Sequence, residues 1–259
     1  MALVSPSSRP AVAALAPEEW PNVEAVVTED DMPVDNIFSE KQQRLLVESL
    51  YSSWAGPGAG GPFVALANVG LFYAVHQPPF VPDMLLSLDV HIPPDVWVKS
   101  QRSYFIWEYG KPPDVVIEVV SNQKGAEDDR KLRVYARMGV PYYVIFDLID
   151  QLEGNVLRVY RLHEGAYHLS ADRWFPMVGL GVTLWHGAYE ELTQTWLRWC
   201  DQDGNVISTG AELVVRVRQH LAEAEQHAAA VVQRAEQEHQ RAERLAAQLR
   251  SLGIDPQDA

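Results

Sequence analysis

Residues 113–147, PDVVIEVVSNQKGAEDDRKLRVYARMGVPYYVIFD, read as strand, turn, helix, turn, strand. Residues 115–120 form an apolar run broken only by Glu118, with Pro113 before it and Ser121-Asn122 after it. Such a run predicts a strand buried on both faces at the centre of a sheet. A helix is expected over residues 126–138, with Gly139 placed to cap it, and Pro141 opens a second apolar strand over residues 142–146. A strand–helix–strand of this length predicts a right-handed crossover and an α/β layer. Glu118 is the odd member, because a carboxylate in mid-core costs several kcal/mol unless it is paired, protonated or bound to a metal.

Upstream, Ser39 is a candidate N-cap with Gln42 as its capping-box partner, ahead of a helix over residues 40–54 that carries Leu45, Leu46, Leu50 and Trp54. The stretch GPGAGGP at 56–62 is a flexible break. It lacks the Gly-Lys-Ser/Thr ending of a phosphate loop, and no helix signal follows it. Strands are expected over 63–67 and 69–75, in two pieces around Asn68, and again over 84–90 after Pro82-Asp83. The connection 91–111 is rich in aromatics (Trp97, Tyr104, Phe105, Trp107, Tyr109) and carries Lys99, Arg102 and Lys111. It reads either as a loop packed over the core by its own side chains or as a surface that stacks on bases and touches phosphates. Hairpins are expected over 156–169, with a turn at Glu164-Gly165, and over 196–207, with a turn at Asp203-Gly204.

From Ala211 the composition changes to Ala, Glu, Gln and Arg. Val217, Leu221, Ala224, Ala228, Val231, Ala235, Ala242, Leu245, Leu249 and Leu252 follow alternating steps of four and three, with Glu238 as the break. This is an Ala-rich, weak heptad seam on a helix of roughly 40 residues, about 60 Å long. Gly253 and Pro256 end it. Three regions follow: an N-terminal arm over 1–36, a domain over 37–209 and a C-terminal coiled-coil helix over 210–259.

A chain with 47 % hydrophobic residues and eight Trp belongs with packed globular proteins. No run approaches the roughly 20 apolar residues that span a bilayer. Pro10 and Pro17 interrupt the Ala-rich start, which reads as a loose arm and not a signal peptide. Cys200 is alone, which excludes an internal disulfide and fits a reducing cytoplasm. A formal charge of −14 argues against broad nonspecific attraction to nucleic acid, while leaving room for a local basic cleft.

Asp83 opens one strand and Glu118 lies near the end of the next. If these strands are antiparallel, the two carboxylates meet and make a hard oxygen site for Mg²⁺ or Mn²⁺. Each residue also has a structural reading: Asp after Pro often caps a turn, and Asp114, on the face of Glu118 but roughly 13 Å along the strand, fits a capping or supporting role. The eight His have no metal-ligand spacing, and no Ser-His-Asp or Cys-His arrangement can be argued.

VPDMLLSLDV (81–90), PPDVVIEVVSN (112–122), the Lys131-to-Tyr135 pair within KLRVYARMGVPYYVIFD (131–147) and GLGVTLWHG (179–187) carry a resemblance. On these motifs the chain resembles the Uma2 family of restriction-endonuclease-like proteins, within the PD-(D/E)XK nuclease superfamily, in a long form with a heptad tail. The resemblance implies a restriction-endonuclease-like three-layer α/β core with a mixed central sheet. It implies Asp83 and Glu118 as catalytic metal ligands, Mg²⁺ or Mn²⁺ as cofactor, and DNA as substrate.

The superfamily's Glu-X-Lys would put lysine at position 120, where this chain has Val120. Lys131 is the candidate replacement. It lines up with Val134, Tyr135 and Met138 on the face that packs on the sheet, while Arg130, Arg133 and Arg137 fall on the solvent face. Lys131 either snorkels at the core edge or points at the carboxylates. Glu40, in the first turn of the first helix, is either an accessory acid or a helix-dipole partner. The expected activity is metal-dependent hydrolysis of DNA phosphodiester bonds. The alternative is a catalytically silent nuclease-like scaffold that recruits a partner, or a second copy, through residues 211–252.

Overall fold

The computed structural model describes residues 36–58, 60–120, 128–148 and 155–251. Apart from Asn36, the N-terminal arm lies outside them, as do the first residues of the helix expected from 126 and the stop signals at Gly253 and Pro256. The chain divides into two compact units, Met1–Thr209 and Gly210–Ala259.

The first unit is built on a six-stranded mixed sheet of β1 (Phe63–Ala67), β3 (Met84–Leu88), β5 (Val115–Val119), β6 (Tyr142–Phe146), β7 (Leu157–His163) and β8 (Ala166–Ser170), in that spatial order. Only β5 and β6 run parallel; the other neighbours are antiparallel. β3, β5 and β6 are buried along their whole length. That is why their sequences read as near-continuous apolar runs and not as alternation.

The pleat sends alternate residues to two cores. Met84, Leu86, Val115, Ile117 and Val144 face Leu46 and Leu50 of α1 (Ile37–Ser53). A second sheet contributes Leu180, Leu197 and Trp199 to that same core. Leu85, Val116, Tyr143 and Ile145 face Tyr135, Leu132 and Met138 of α3 (Asp128–Met138). The central sheet therefore sits between α3 on one side and α1 with the second sheet on the other, the mixed α/β layering expected.

At the end of α3, Gly139 adopts φ 84° and its N–H bonds to the Tyr135 carbonyl at 3.1 Å. That left-handed residue turns the chain straight into β6. Asn68, at φ 57°, breaks the strand after β1 as expected. The second piece is β2 (Leu71–Phe72), which pairs in parallel with β4 (Tyr104–Phe105) in a separate ribbon. A single helical turn, α2 (Ile106–Tyr109), follows β4.

One local expectation is corrected. Asn36, not Ser39, caps α1, its side-chain oxygen accepting from Ser39 N–H at 2.9 Å. Gln42 does not cap either. It is fully buried, and its amide both donates to and accepts from the Leu197 backbone at 2.9 Å. The second hairpin is present in short form: Ile207 N–H donates to the Trp199 carbonyl at 2.9 Å, and Gly204 takes φ 83° in the expected turn. Residues 196–200 are the end of β11 (Leu192–Cys200), which pairs with β10 (Leu180–Tyr189) over nine register pairs, while Val206 makes one isolated bridge to Cys200. A hairpin the sequence did not announce joins β10 to β11 through Glu190-Glu191, both at positive φ without a glycine, so its sequence carries no turn signal. β9 (Trp174–Phe175) completes this three-stranded sheet beside β10.

The second unit is α4, Gly210–Ser251, a 42-residue helix with no buried residue. Among the described residues no helix is long and apolar enough to cross a membrane.

Candidate active site

Asp83 precedes β3, and Glu118 is the fourth residue of β5. The antiparallel register pairs Met84 with Ile117, so one further step sets Asp83 opposite Glu118 on the face that α3 covers. Glu118 is only 6 % exposed and therefore needs partners for both oxygens. Helix α3 supplies them: Tyr135 Oη donates to Oε1 at 2.8 Å and Lys131 Nζ to Oε2 at 2.9 Å. The two donors lie four residues apart and so project from one helical face. Arg133 and Arg137 are exposed on the other face, and Arg130, also exposed, lays its guanidinium over the Phe80 ring at 5.4 Å.

Asp83 is held from two other directions. Val119 N–H donates to Oδ2 at 2.7 Å and Gln43 Nε2 to Oδ1 at 2.6 Å. Asp83 keeps an opening to solvent, yet protein encloses most of it. Burial pushes its carboxyl up to about 7, and the Glu118 charge pushes the same way. Val119 N–H, the Lys131 ammonium and Gln43 act against that rise. Two carboxylates in one small space hold a proton between them more readily than two exposed ones. Tyr135, fully buried, is raised well above the usual phenol range by burial first and the Glu118 charge second, so it serves as a neutral donor.

From α1 the contact to Asp83 is made by Gln43, three residues after Glu40, which the sequence offers as either an accessory acid or a helix-dipole partner. Both line a cleft of about 380 Å³ together with Val47, Ala67 and Asn68, but the Glu40 carboxylate is bound by Arg44 at the helix surface. Gln43, 6 % exposed, is the side chain that reaches Asp83. It lies on the buried line Ser39, Gln42, Gln43, Leu46, Ser49, Leu50. The three-and-four spacing with the leucines was the signal that this polar side chain faces inward.

The remaining candidates lie elsewhere. Asp114 accepts from Lys111 Nζ at 2.6 Å and from Leu88 N–H at 2.8 Å, closing the opposite end of β3 and β5. Val120 is half-buried against the α3-side core, its N–H bonded to the Phe146 carbonyl at 2.8 Å. In the 91–111 connection Tyr104, Phe105 and Trp107 are buried, whereas Trp97 is 86 % exposed.

Among the described residues no three His, Cys, Asp or Glu side chains gather as a metal cluster. Asp83 and Glu118 make a pair of hard carboxylates, and that donor set fits a cation such as Mg²⁺, which keeps several waters and takes one or two protein carboxylates plus substrate phosphate.

The sequence model of the Uma2 family, described as "Putative restriction endonuclease", matches residues 27–176. That span holds Asp83, Glu118, Lys131, Tyr135 and Gln43. No curated protein and no solved structure matches the chain.

Proposed function

The chain belongs to the Uma2 family, and from that premise we propose that it is a divalent-metal-dependent endonuclease that hydrolyses DNA phosphodiester bonds. The observation that carries this reading is the convergence of three elements on one point: Asp83 before β3, Glu118 in β5 and Lys131 from α3, the last 2.9 Å from Glu118 Oε2.

Asp83 and Glu118 are the residues that would hold Mg²⁺ or Mn²⁺. When bound, such an ion supplies Lewis acidity toward a phosphoryl oxygen and a more acidic water. The chain's own residues do the rest. Tyr135 and Lys131 fix the Glu118 carboxylate from one helix face, and Gln43 with Val119 N–H fixes Asp83, so both acids are oriented before substrate arrives. Lys131 keeps one fixed positive charge beside Glu118. A phosphate brought there gains negative charge in its transition state, and a preorganised cation aimed at that charge lowers the barrier. Lys131 thus serves where Glu-X-Lys would place a lysine at position 120. The buried Cys200 thiol fits a cytoplasmic setting.

A second reading is favoured by Val120 and by the donors that already hold both acids: a silent nuclease-like scaffold that recruits a partner through its tail. Incubation of pure protein with plasmid DNA separates the two. Nicking or linearisation that needs Mg²⁺ or Mn²⁺, stops with EDTA and is lost in Glu118→Gln supports the enzyme. No cleavage with either ion at any pH between 6 and 9 rejects it.

A further inference from the structure

Helix α4 has no buried residue, and along it Val217, Leu221, Val231 and Leu245 are each more than half exposed. Isolated apolar side chains at a surface are ordinary, but a line of them in heptad register along a 42-residue helix is an uncovered seam. The helix carries six Arg and six Glu, so it is neutral within a chain of charge −14. Two copies brought together along it would therefore meet without a net charge between them. We propose that α4 pairs with the same helix of a second copy of this chain, and that the two run antiparallel.

Glu238 decides the direction. In heptad terms Leu221, Ala228, Ala235, Ala242 and Leu249 take position a, and Val217, Ala224, Val231, Glu238 and Leu245 take position d. A parallel pair sets d against d, so Glu238 would meet Glu238 of the second copy inside the seam, and two close like charges repel strongly away from water. An antiparallel pair sets a against d. Centred on Gln233, it places Leu221 against Leu245, Leu249 against Val217, Ala242 against Ala224, and Glu238 against Ala228. The outer layers match large with large, the Ala242–Ala224 layer matches small with small, Val231 meets Ala235 beside the centre, and the Ala residues let the axes approach to the close end of the usual spacing of about 8–10 Å.

The flanking charges agree. Glu238 lies four residues after Arg234 and three before Arg241, a spacing that brings each guanidinium beside its carboxylate on one helix side. In the antiparallel pair those arginines line the same edge from both copies: Arg234 meets Arg234 of the second copy near the centre, and the Glu238 carboxylate four residues on in each helix offsets that repulsion. On the other edge Glu225 meets His239 of the second copy, twice by symmetry.

The test uses the full chain. Light scattering at tens of micromolar should give twice 29.1 kDa for wild type, and Leu221→Glu should halve that mass. Direction is read by oxidative cross-linking of Leu221→Cys and Leu245→Cys chains on a non-reducing gel. Native Cys200 is buried, so wild type is the blank. Positions 221 and 245 are 24 residues apart, so in an antiparallel pair the two thiols introduced at position 221 are separated by about 36 Å and cannot bond. The antiparallel pair predicts no cross-link in either variant alone and a covalent dimer in their mixture. A dimer from Leu221→Cys alone overturns the direction. A wild-type mass of 29.1 kDa overturns the pairing.

Discussion

The Lys131 ammonium lies 2.9 Å from Glu118 Oε2, joining a helix to the one acidic residue in the most buried strands of the sheet. Sequence separation between the two is thirteen residues, and the contact exists because β5, α3 and β6 form a single crossover unit. The ion pair is a quarter exposed on the lysine side and 8 % on the glutamate side. It therefore supports the buried carboxylate while leaving the cation reachable from solvent.

That geometry gives a kinetic expectation. Lys131→Ala should lower the DNA-cleavage turnover by on the order of a hundredfold while changing DNA affinity little, because affinity comes mainly from many phosphate contacts. Arg133→Ala, on the exposed face of the same helix, should leave both unchanged. Single-turnover cleavage rates beside equilibrium binding measure the split. Equal rates for Lys131→Ala and wild type would remove Lys131 from the site.

The Asp83 carboxyl, raised by burial to about 7, sets a pH dependence for the metal-free protein. Its folded value lies above the ordinary 3.8, so its contribution to stability is fully present below about pH 4 and is lost as pH rises through 7. The loss is at most roughly 4 kcal/mol, and less in practice because Asp83 keeps an opening to solvent. Urea unfolding in EDTA should show this fall between pH 4 and 7, and Asp83→Asn should flatten it. A wild-type profile that rises over the same interval and is unaffected by Asp83→Asn would contradict the raised value.

Gln43→Leu removes the amide that donates to Asp83 Oδ1 and leaves that oxygen short of a partner. The expected loss of stability is about 1–3 kcal/mol, read as a shift in the urea midpoint at constant slope. The same variant should need more Mg²⁺ for half-maximal cleavage, because the carboxylate is no longer held in place. Gln43→Glu places a third acid beside the pair and should raise the Asp83 carboxyl further.

Much of this site was legible in the sequence, for a definable reason. A carboxylate in a run as apolar as VVIEVV can be tolerated only with dedicated partners, and a lysine in phase with Val134, Tyr135 and Met138 on an amphipathic helix points to where such a partner sits. Gln43 was less legible: a glutamine early in a helix is also an ordinary surface residue, and only its spacing with Leu46 and Leu50 marks it as inward. The β10–β11 hairpin was hidden for another reason. Its turn is built from Glu190 and Glu191 at positive φ, held by tertiary contacts in which Glu190 pairs with Lys41 at 2.7 Å and Arg44 at 3.1 Å on α1. No local signal in two glutamates announces a turn that is stabilised by a helix so far back in the chain.

Because α4 has no buried residue, deleting residues 211–259 should leave the remaining unit folded. Circular dichroism should lose helix signal in proportion to the residues removed. Tm should move by less than about 4 °C, the equivalent of 1 kcal/mol for a domain of this size. An insoluble or unfolded truncation would make the helix part of the core.

The last expectation joins Val120 to Lys131. Val120 follows β5, two residues beyond Glu118, so both side chains lie on the α3 face of the sheet, about 7 Å apart along the strand. Val120 is half-buried, which leaves a longer side chain a route to solvent or to Glu118 with its charged head, so Val120→Lys should fold. On its own it adds a second ammonium beside the first and should change cleavage little. In a Lys131→Ala background it returns the missing charge from the strand instead of the helix. If Lys131 acts as a fixed cation beside Glu118, Val120→Lys should recover at least about tenfold of the lost turnover in the double variant. Val120→Met, of similar length without charge, should recover none. Rescue by lysine and not by methionine identifies the charge as the active feature. Rescue by both would mean that Lys131→Ala failed through lost packing, and rescue by neither would mean that the direction from which the cation approaches, and not its presence alone, governs the reaction.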